Sequence, residues 1–317
     1  MMIVMAMVET GLKDNIYFIY TYYIMVNISI LTIIYTYYIM VNIDILTYGT
    51  GYKFYVYERF FGSLFDTGFK GNVFIVINET DLKTINPLLE KYKSIKYVID
   101  DIVKTTNINN HRFFVYKTFF NKINSDYVFL CDFRDVLFQK NIETYTLDDN
   151  VDIFGFLEDG KIKISKVNKY WLDLLDEKLN TNIYKKISNK NICCCGTTIG
   201  KKNAIYNYIQ TMCNIICDNS IKTNLDQAIH NYILYLNILK VNIKFLTNKD
   251  NLINTTSAYK PKRFSLETSK KKINANYEII NDNNDISFVV HQYDRLHREI
   301  RKLISTKFGY NFVDHGS

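Results

Sequence analysis

Four near-continuous apolar runs, separated by stretches with helical spacing, constrain this chain more than any other feature. They are residues 43–48 (IDILTY), 72–77 (NVFIVI), 95–99 (IKYVI) and 127–131 (YVFLC). Between them, residues 52–65 and 111–123 carry apolar side chains at helical intervals. Asn78 or Thr80 stands where a cap is expected for a helix running to Tyr92. Strands that are apolar along their whole length are covered on both faces. The β-α-β-α-β-α-β succession therefore predicts an α/β fold with a mainly parallel sheet and helices on both sides. Ligands of such sheets bind beyond the carboxyl ends of the strands. Thr47, Tyr48 and Gly49 lie at one such end, and Asp132 at another.

The alternation is less regular after Phe138. Strands are expected over 151–156, 191–199, 241–246 and 286–290, and helices over 201–217 and 225–239. With 2 prolines and 12 glycines in 317 residues, no Pro/Gly-rich linker divides the chain. One domain over 40–317 is the expected organisation.

The N-terminus is a duplication. Residues 19–32 (IYTYYIMVNISILT) and 34–47 (IYTYYIMVNIDILT) differ only at Ser29 against Asp44. Two near-identical copies do not make a solenoid, which needs several stacked units to build a core. The second copy runs into the first strand, so residues 1–39 are expected to be a dispensable hydrophobic extension, with Met40 able to serve as a start. Residues 16–43 carry no charge, a run long enough for a membrane anchor. Against that stand the many tyrosines, Asn27 and Asn42, and flanking charges at Lys13 and Asp14 that give no positive-inside signal. A cytoplasmic location is expected, with membrane anchoring through 16–43 as the alternative.

The formal charge is +7, with part of the excess at Lys260, Lys262, Arg263 and Lys270 to Lys272. No basic helix interleaved with aromatics and no zinc-finger spacing occurs, so no nucleic-acid partner is expected. Of six cysteines, Cys193, Cys194 and Cys195 are consecutive. Neighbours on a strand point to opposite faces, so they are read as buried free thiols and not as one chelating group. Walker, G-x-S-x-G, H-E-x-x-H and G-x-G-x-x-G patterns are absent, against a P-loop NTPase, serine hydrolase, zincin or dinucleotide dehydrogenase.

Four motifs carry the chemistry. Asp132-Phe133-Arg134-Asp135 follows a buried strand, placing two carboxylates and a guanidinium at its end. Oxygen ligands of that kind suit Mg²⁺ or Mn²⁺ with coordination positions left for phosphate, and Arg134 can pair with a carboxylate or touch phosphate. Gly196-Thr197 in CCCGTTIG permits close backbone approach to a ligand. Asp226-Gln227 opens a helix, where Asp226 is either a base or a group favoured by the helix dipole. His291 follows the apolar run 287–290, and a neutral imidazole there can ligate a metal.

Taken in order, YVFLCDFRDVLFQ, CCCGTTIG, LDQAIHNYI and SFVVHQYDR resemble the motifs of GT-A-type glycosyltransferases, including uncharacterised ones of large DNA viruses. The resemblance covers roughly residues 43–295. It implies a GT-A-like (Rossmann-like) fold, a UDP- or GDP-sugar donor, Mn²⁺ or Mg²⁺, and transfer to a hydroxyl of a glycan or protein acceptor. For a viral protein it implies host cytoplasm or the virion. By motif position Asp135 and His291 match metal ligands, with Asp132 a further metal or ribose contact. Thr47 and Tyr48 match the nucleotide edge, Arg112 a basic position that helps hold the donor, Gly196 and Thr197 the sugar-facing strand, and Asp226 and Gln227 the acceptor-side pair. The spacing here is Asp-x-x-Asp where the family usually has Asp-x-Asp. The alternatives are an inactive nucleotide-binding or scaffold protein of the same fold, and a membrane-anchored structural protein.

Overall fold

The computed structural model describes residues 40–100, 107–256 and 263–309. The chain divides into units Met1–Met40 and Val41–Ser317, and every element below belongs to the second. The duplicated extension 1–39, most of the candidate anchor 16–43, and Lys260 and Lys262 lie outside the described residues. Among the described residues no helix is long and apolar enough to cross a membrane.

The four apolar runs form parallel strands. They are β1 (Ile43–Tyr48), β2 (Val73–Ile77), β3 (Ile95–Ile99) and β4 (Tyr127–Asp132). A short strand, β5 (Val136–Phe138), follows β4 directly. The main sheet is completed by β6 (Ile153–Lys161), β7 (Asn191–Lys201) and β8 (Ile243–Leu246). Its order is β3-β2-β1-β4-β7-β6-β8, and only β7 runs antiparallel to its neighbours.

Side-chain alternation divides the core between the two faces. Leu46, Phe74, Val76, Val128 and Leu130 pack on one side against the helices Ile108–Phe119 and Lys202–Asp218. Ile43, Ile45, Val73, Ile75 and Phe129 pack on the other against Phe54–Asp66 and Glu79–Lys91. Each such aliphatic or aromatic side chain contributes roughly 1.5–3 kcal/mol by leaving water. β3, at the edge, exposes Lys96, Tyr97 and Ile99.

Asn78, not Thr80, caps the helix Glu79–Lys91, in a reciprocal box with Asp81. The helix expected over 225–239 is Asp226–Tyr235. It stops there because Asn237 turns into the left-handed region and the Ile238 N–H returns to Ile233 O. Asn254 is buried, with its amide donating to Ile280 O.

A second sheet was not expected. β5 pairs antiparallel with β10 (Val289–His291), which pairs parallel with β9 (Ile253–Thr255). The run expected as a strand over 286–290 thus begins later. Ile286 instead bridges Ile280, and the Gln139 side chain holds Ser287 O and both main-chain groups of Ile279. This small sheet lays its last residue, His291, beside the end of β4.

Candidate functional site

A cavity of about 720 Å³ opens where β1 and β4 end and where the middle of β7 runs antiparallel beside the end of β4. Tyr48 and Asp132 are register partners on neighbouring strands, and both line it. Asp132 closes β4, Asp135 stands just before β5, and β10 delivers His291. Their ligand atoms all lie within 4.8 Å of one another. His291 Nε2 is 3.4 Å from Asp132 Oδ2 and 3.8 Å from Asp135 Oδ1. The imidazole is 1% exposed, and among the described residues its Nε2 has no hydrogen-bond partner.

Gly196 is what leaves room for this group. A Cβ there would fall 2.5 Å from His291 Cε1, 2.6 Å from Asp132 Oδ2 and 2.7 Å from His291 Nε2. A side chain at 196 would therefore fill the space that the three donors face. A buried unpaired imidazole nitrogen, two carboxylates and a cradle kept open by glycine together fit a small divalent cation.

Electrostatics separate the two carboxylates. Burial alone would raise Asp132, but the Arg112 guanidinium and His291 override it and hold its carboxyl well below the usual range. Asp135 is raised: burial is the main cause, opposed by His291 and reinforced by the Asp132 charge. Burial would lower His291, yet the two carboxylates outweigh it and raise the imidazole.

Arg112, on the helix Ile108–Phe119, is buried. It donates from Nη1 to Asp132 Oδ1 at 2.5 Å and from Nη2 to Asp226 Oδ2 at 2.9 Å. Expected to help hold the donor, the guanidinium spends both terminal nitrogens on carboxylates of the chain itself. Asp226, at the first turn of Asp226–Tyr235, is raised by burial against the opposing pull of Arg112. The Gln227 amide accepts from Cys195 N and donates to Cys193 O, so it fastens this helix to β7.

Tyr48 donates to Asp100 Oδ2, which also faces His111 Nε2 at 3.0 Å. Thr47 and Thr197 are fully buried and do not line the cavity, and Thr47 donates to Cys131 O. Arg134 is half-exposed at the mouth, 3.2 Å from Asp294 Oδ2 and 3.8 Å from Asp135 Oδ2.

Sequence reading passed over one wall, the helix Lys166–Leu179, which brings Asn168 and Trp171 to the cavity. A Ser165 cap on Asn168 and apolar Leu172 and Leu175 were the available signals. The cysteines obey strand alternation. Cys193 and Cys195 face one core, while Cys194 Sγ lies 3.5 Å from His291 Nδ1. His230 is buried between Tyr208 and Cys193.

No protein-family model matches the chain, and no curated protein matches it in sequence, so the viral part of the resemblance has no sequence relative behind it. Among solved structures, an active-site mutant of LgtC matches with a TM-score of 0.50 at 10% identity, over 86% of this chain and 97% of that one. The galactosyltransferase LgtC in complex with donor and acceptor sugar analogues matches over the same shares, with a TM-score of 0.49 at 8% identity. The bifunctional glycosyltransferase WbbM matches with a TM-score of 0.48 at 14% identity, over 84% of this chain and 50% of that one. At such identities the likeness concerns the fold. The chain has a GT-A-like α/β fold, with a large, mostly parallel seven-stranded sheet covered by helices.

Proposed function

We propose that this chain is a metal-dependent glycosyltransferase that moves a sugar from a UDP- or GDP-linked donor to a hydroxyl of a glycan or protein acceptor. The observation that carries the reading is the convergence of Asp132, Asp135 and the unpaired His291 Nε2 on one space at the sheet's rim. The fold likeness to LgtC is in keeping with it.

In this reading Asp135, His291 and Asp132 hold Mn²⁺ or Mg²⁺. When bound, the ion neutralises a diphosphate and improves it as a leaving group. Tyr48 borders the nucleotide, and Thr47 supports that edge from within the core. Gly196 keeps the floor open, with Thr197 behind it. Arg134, half-exposed at the mouth, is the guanidinium placed to reach phosphate. Arg112 positions Asp132 and Asp226 relative to each other. Asp226 is the candidate base, its raised carboxyl better suited to taking a proton, and Gln227 holds it to β7.

The test is a thermal-shift screen of UDP- and GDP-sugars with and without Mn²⁺, followed by release of nucleoside diphosphate. A true ligand at a hundredfold excess over its dissociation constant adds about 2.7 kcal/mol of apparent stability. The expected result is a shift that needs the metal and disappears in Asp135→Ala. Undiminished metal-dependent turnover by Asp135→Ala contradicts the assignment. Metal-independent binding with no turnover identifies a non-catalytic nucleotide binder.

A further inference from the structure

Cys194 and Gly196 stand two residues apart on β7, hence on the same face of the strand. They address the same ring. Gly196 leaves space beneath Cε1 and Nε2 of His291, where a Cβ would come within 2.5 and 2.7 Å. Cys194 places its sulfur 3.5 Å from the opposite ring nitrogen, Nδ1. Among the described residues the thiol is the neighbour of Nδ1, while Nε2 faces Asp132 Oδ2 at 3.4 Å and Asp135 Oδ1 at 3.8 Å. The main chain of His291 is fixed separately, its carbonyl accepting from the Thr256 N–H and hydroxyl.

Only a nitrogen without a proton can ligate a cation, and a neutral imidazole carries its one proton on the other nitrogen. The acceptor beside Nδ1 therefore decides which nitrogen is available to the metal. Carboxylates or carbonyls usually take that place. Here the neighbour is a thiol that is itself fully sequestered: Cys194 is 3% exposed.

We propose that Cys194 is a positioning residue of the cation site. Its sulfur accepts the Nδ1–H of His291, fixing the tautomer whose Nε2 lone pair faces Asp132 and Asp135 and holding the ring over Gly196. This rests on the metal reading of the Asp132, Asp135 and His291 group. It gives the middle cysteine of the CCC run a role distinct from its neighbours: Cys193 abuts His230, and Cys195 abuts Arg112 and Tyr208.

The experiment measures Mn²⁺ affinity of the full chain by the electron paramagnetic resonance of free Mn²⁺, without donor or acceptor. Four proteins are compared: the parent, His291→Ala, Cys194→Val and Cys194→Ser. Valine keeps the volume and removes the acceptor, and serine restores an acceptor. Loss of an outer partner of this kind weakens metal binding about 10- to 100-fold. Cys194→Val is expected to show that loss, and Cys194→Ser to recover most of it. Melting of each protein without metal shows that the variants are folded, and Cys194→Ala replaces the valine variant should valine not be accommodated. Parent-like affinity in a folded Cys194→Val overturns the proposal, as does a serine variant no better than valine. A parent that does not bind Mn²⁺, or His291→Ala binding as tightly as the parent, instead overturns the metal reading itself.

Discussion

Arg112 and Asp226, 114 positions apart in the chain, meet at 2.9 Å in the interior, and both side chains are about nine-tenths buried. The same guanidinium reaches Asp132, so one cation joins the helix Ile108–Phe119, the end of β4 and the start of Asp226–Tyr235. Removing one partner of a buried pair leaves a charge without compensation, which costs roughly 3–5 kcal/mol. Arg112→Leu is expected to lose at least the lower part of that range in urea unfolding. The double variant Arg112→Leu/Asp226→Asn is expected to recover part of the loss, because one of the two carboxylates orphaned by the leucine, that of Asp226, is gone while Asp132 remains. Equal stabilities of the single and double variants would show that the Asp226 carboxylate left without its partner carries no penalty.

How far the fold was readable follows from where each element gets its stability. β1, β2 and β4 are buried on both faces, so their apolar runs announce them. The small sheet is different. β5, β9 and β10 are three residues each, and they exist because β10 pairs with β9 from 36 positions away and with β5 from 151 to 155 positions away. No local periodicity reports such a sheet. His291 was legible as a ligand type after an apolar run, but its approach to Asp132 depends on that pairing. Parity hid the two threonines: Thr47 and Tyr48 are neighbours on β1, and only the structure tells which of them faces the cavity. Arg112 was read as a donor contact because its partners, Asp132 and Asp226, belong to other elements.

Gly196 offers a direct test of the cradle. Alanine at this position sets a Cβ 2.5 Å from His291 Cε1 and 2.6 Å from Asp132 Oδ2. The ring and the carboxylate must then move apart, and overpacking of this kind costs typically about 1–3 kcal/mol. Gly196→Ala is therefore expected to remain folded, to melt lower, and to lose Mn²⁺ binding out of proportion to its loss of stability. Calorimetric titration with Mn²⁺ beside thermal melting checks this. Retention of parent-like affinity would mean that the glycine is not needed by the cation.

His230 predicts a pH dependence. Burial, with the Arg112 charge adding to it, pushes the imidazole down to about 3 from an ordinary 6.5. Below pH 6.5 the unfolded chain takes up a proton that the folded protein refuses. The stability contribution is complete above that pH and falls by about 1.4 kcal/mol per unit on acidification until pH nears 3. Urea unfolding at pH 7.0 and 5.5 should show the parent losing about 1 kcal/mol more than His230→Gln, which cannot titrate. Equal losses in the two proteins would mean that the buried ring takes its proton while folded.

Gln139 ties the acidic segment to the segment that carries His291. Its amide donates to Ile279 O at 2.9 Å and to Ser287 O at 3.0 Å, and its oxygen accepts from Ile279 N at 2.7 Å. The main chain reinforces the junction, with Gln139 N donating to Phe288 O at 2.8 Å. Leucine here keeps the bulk and leaves three main-chain groups to find other partners. An abandoned, poorly hydrated polar group costs roughly 1–3 kcal/mol, so Gln139→Leu is expected to destabilise the protein by at least about 2 kcal/mol. The more specific consequence is positional. Ser287 and Phe288 lead directly into β10, and β10 sets where His291 stands relative to Asp135. Loosening that lead frees the imidazole from one of its constraints while both carboxylates stay in place. Gln139→Leu should thus weaken Mn²⁺ binding although residue 139 touches none of the three candidate ligands, and Gln139→Glu, which keeps an acceptor for Ile279 N, should weaken it less. Hydrogen exchange at Val289 and Val290 provides the independent check. Their protection should fall in the leucine variant, and unchanged protection with weakened metal binding would assign the effect to something other than β10.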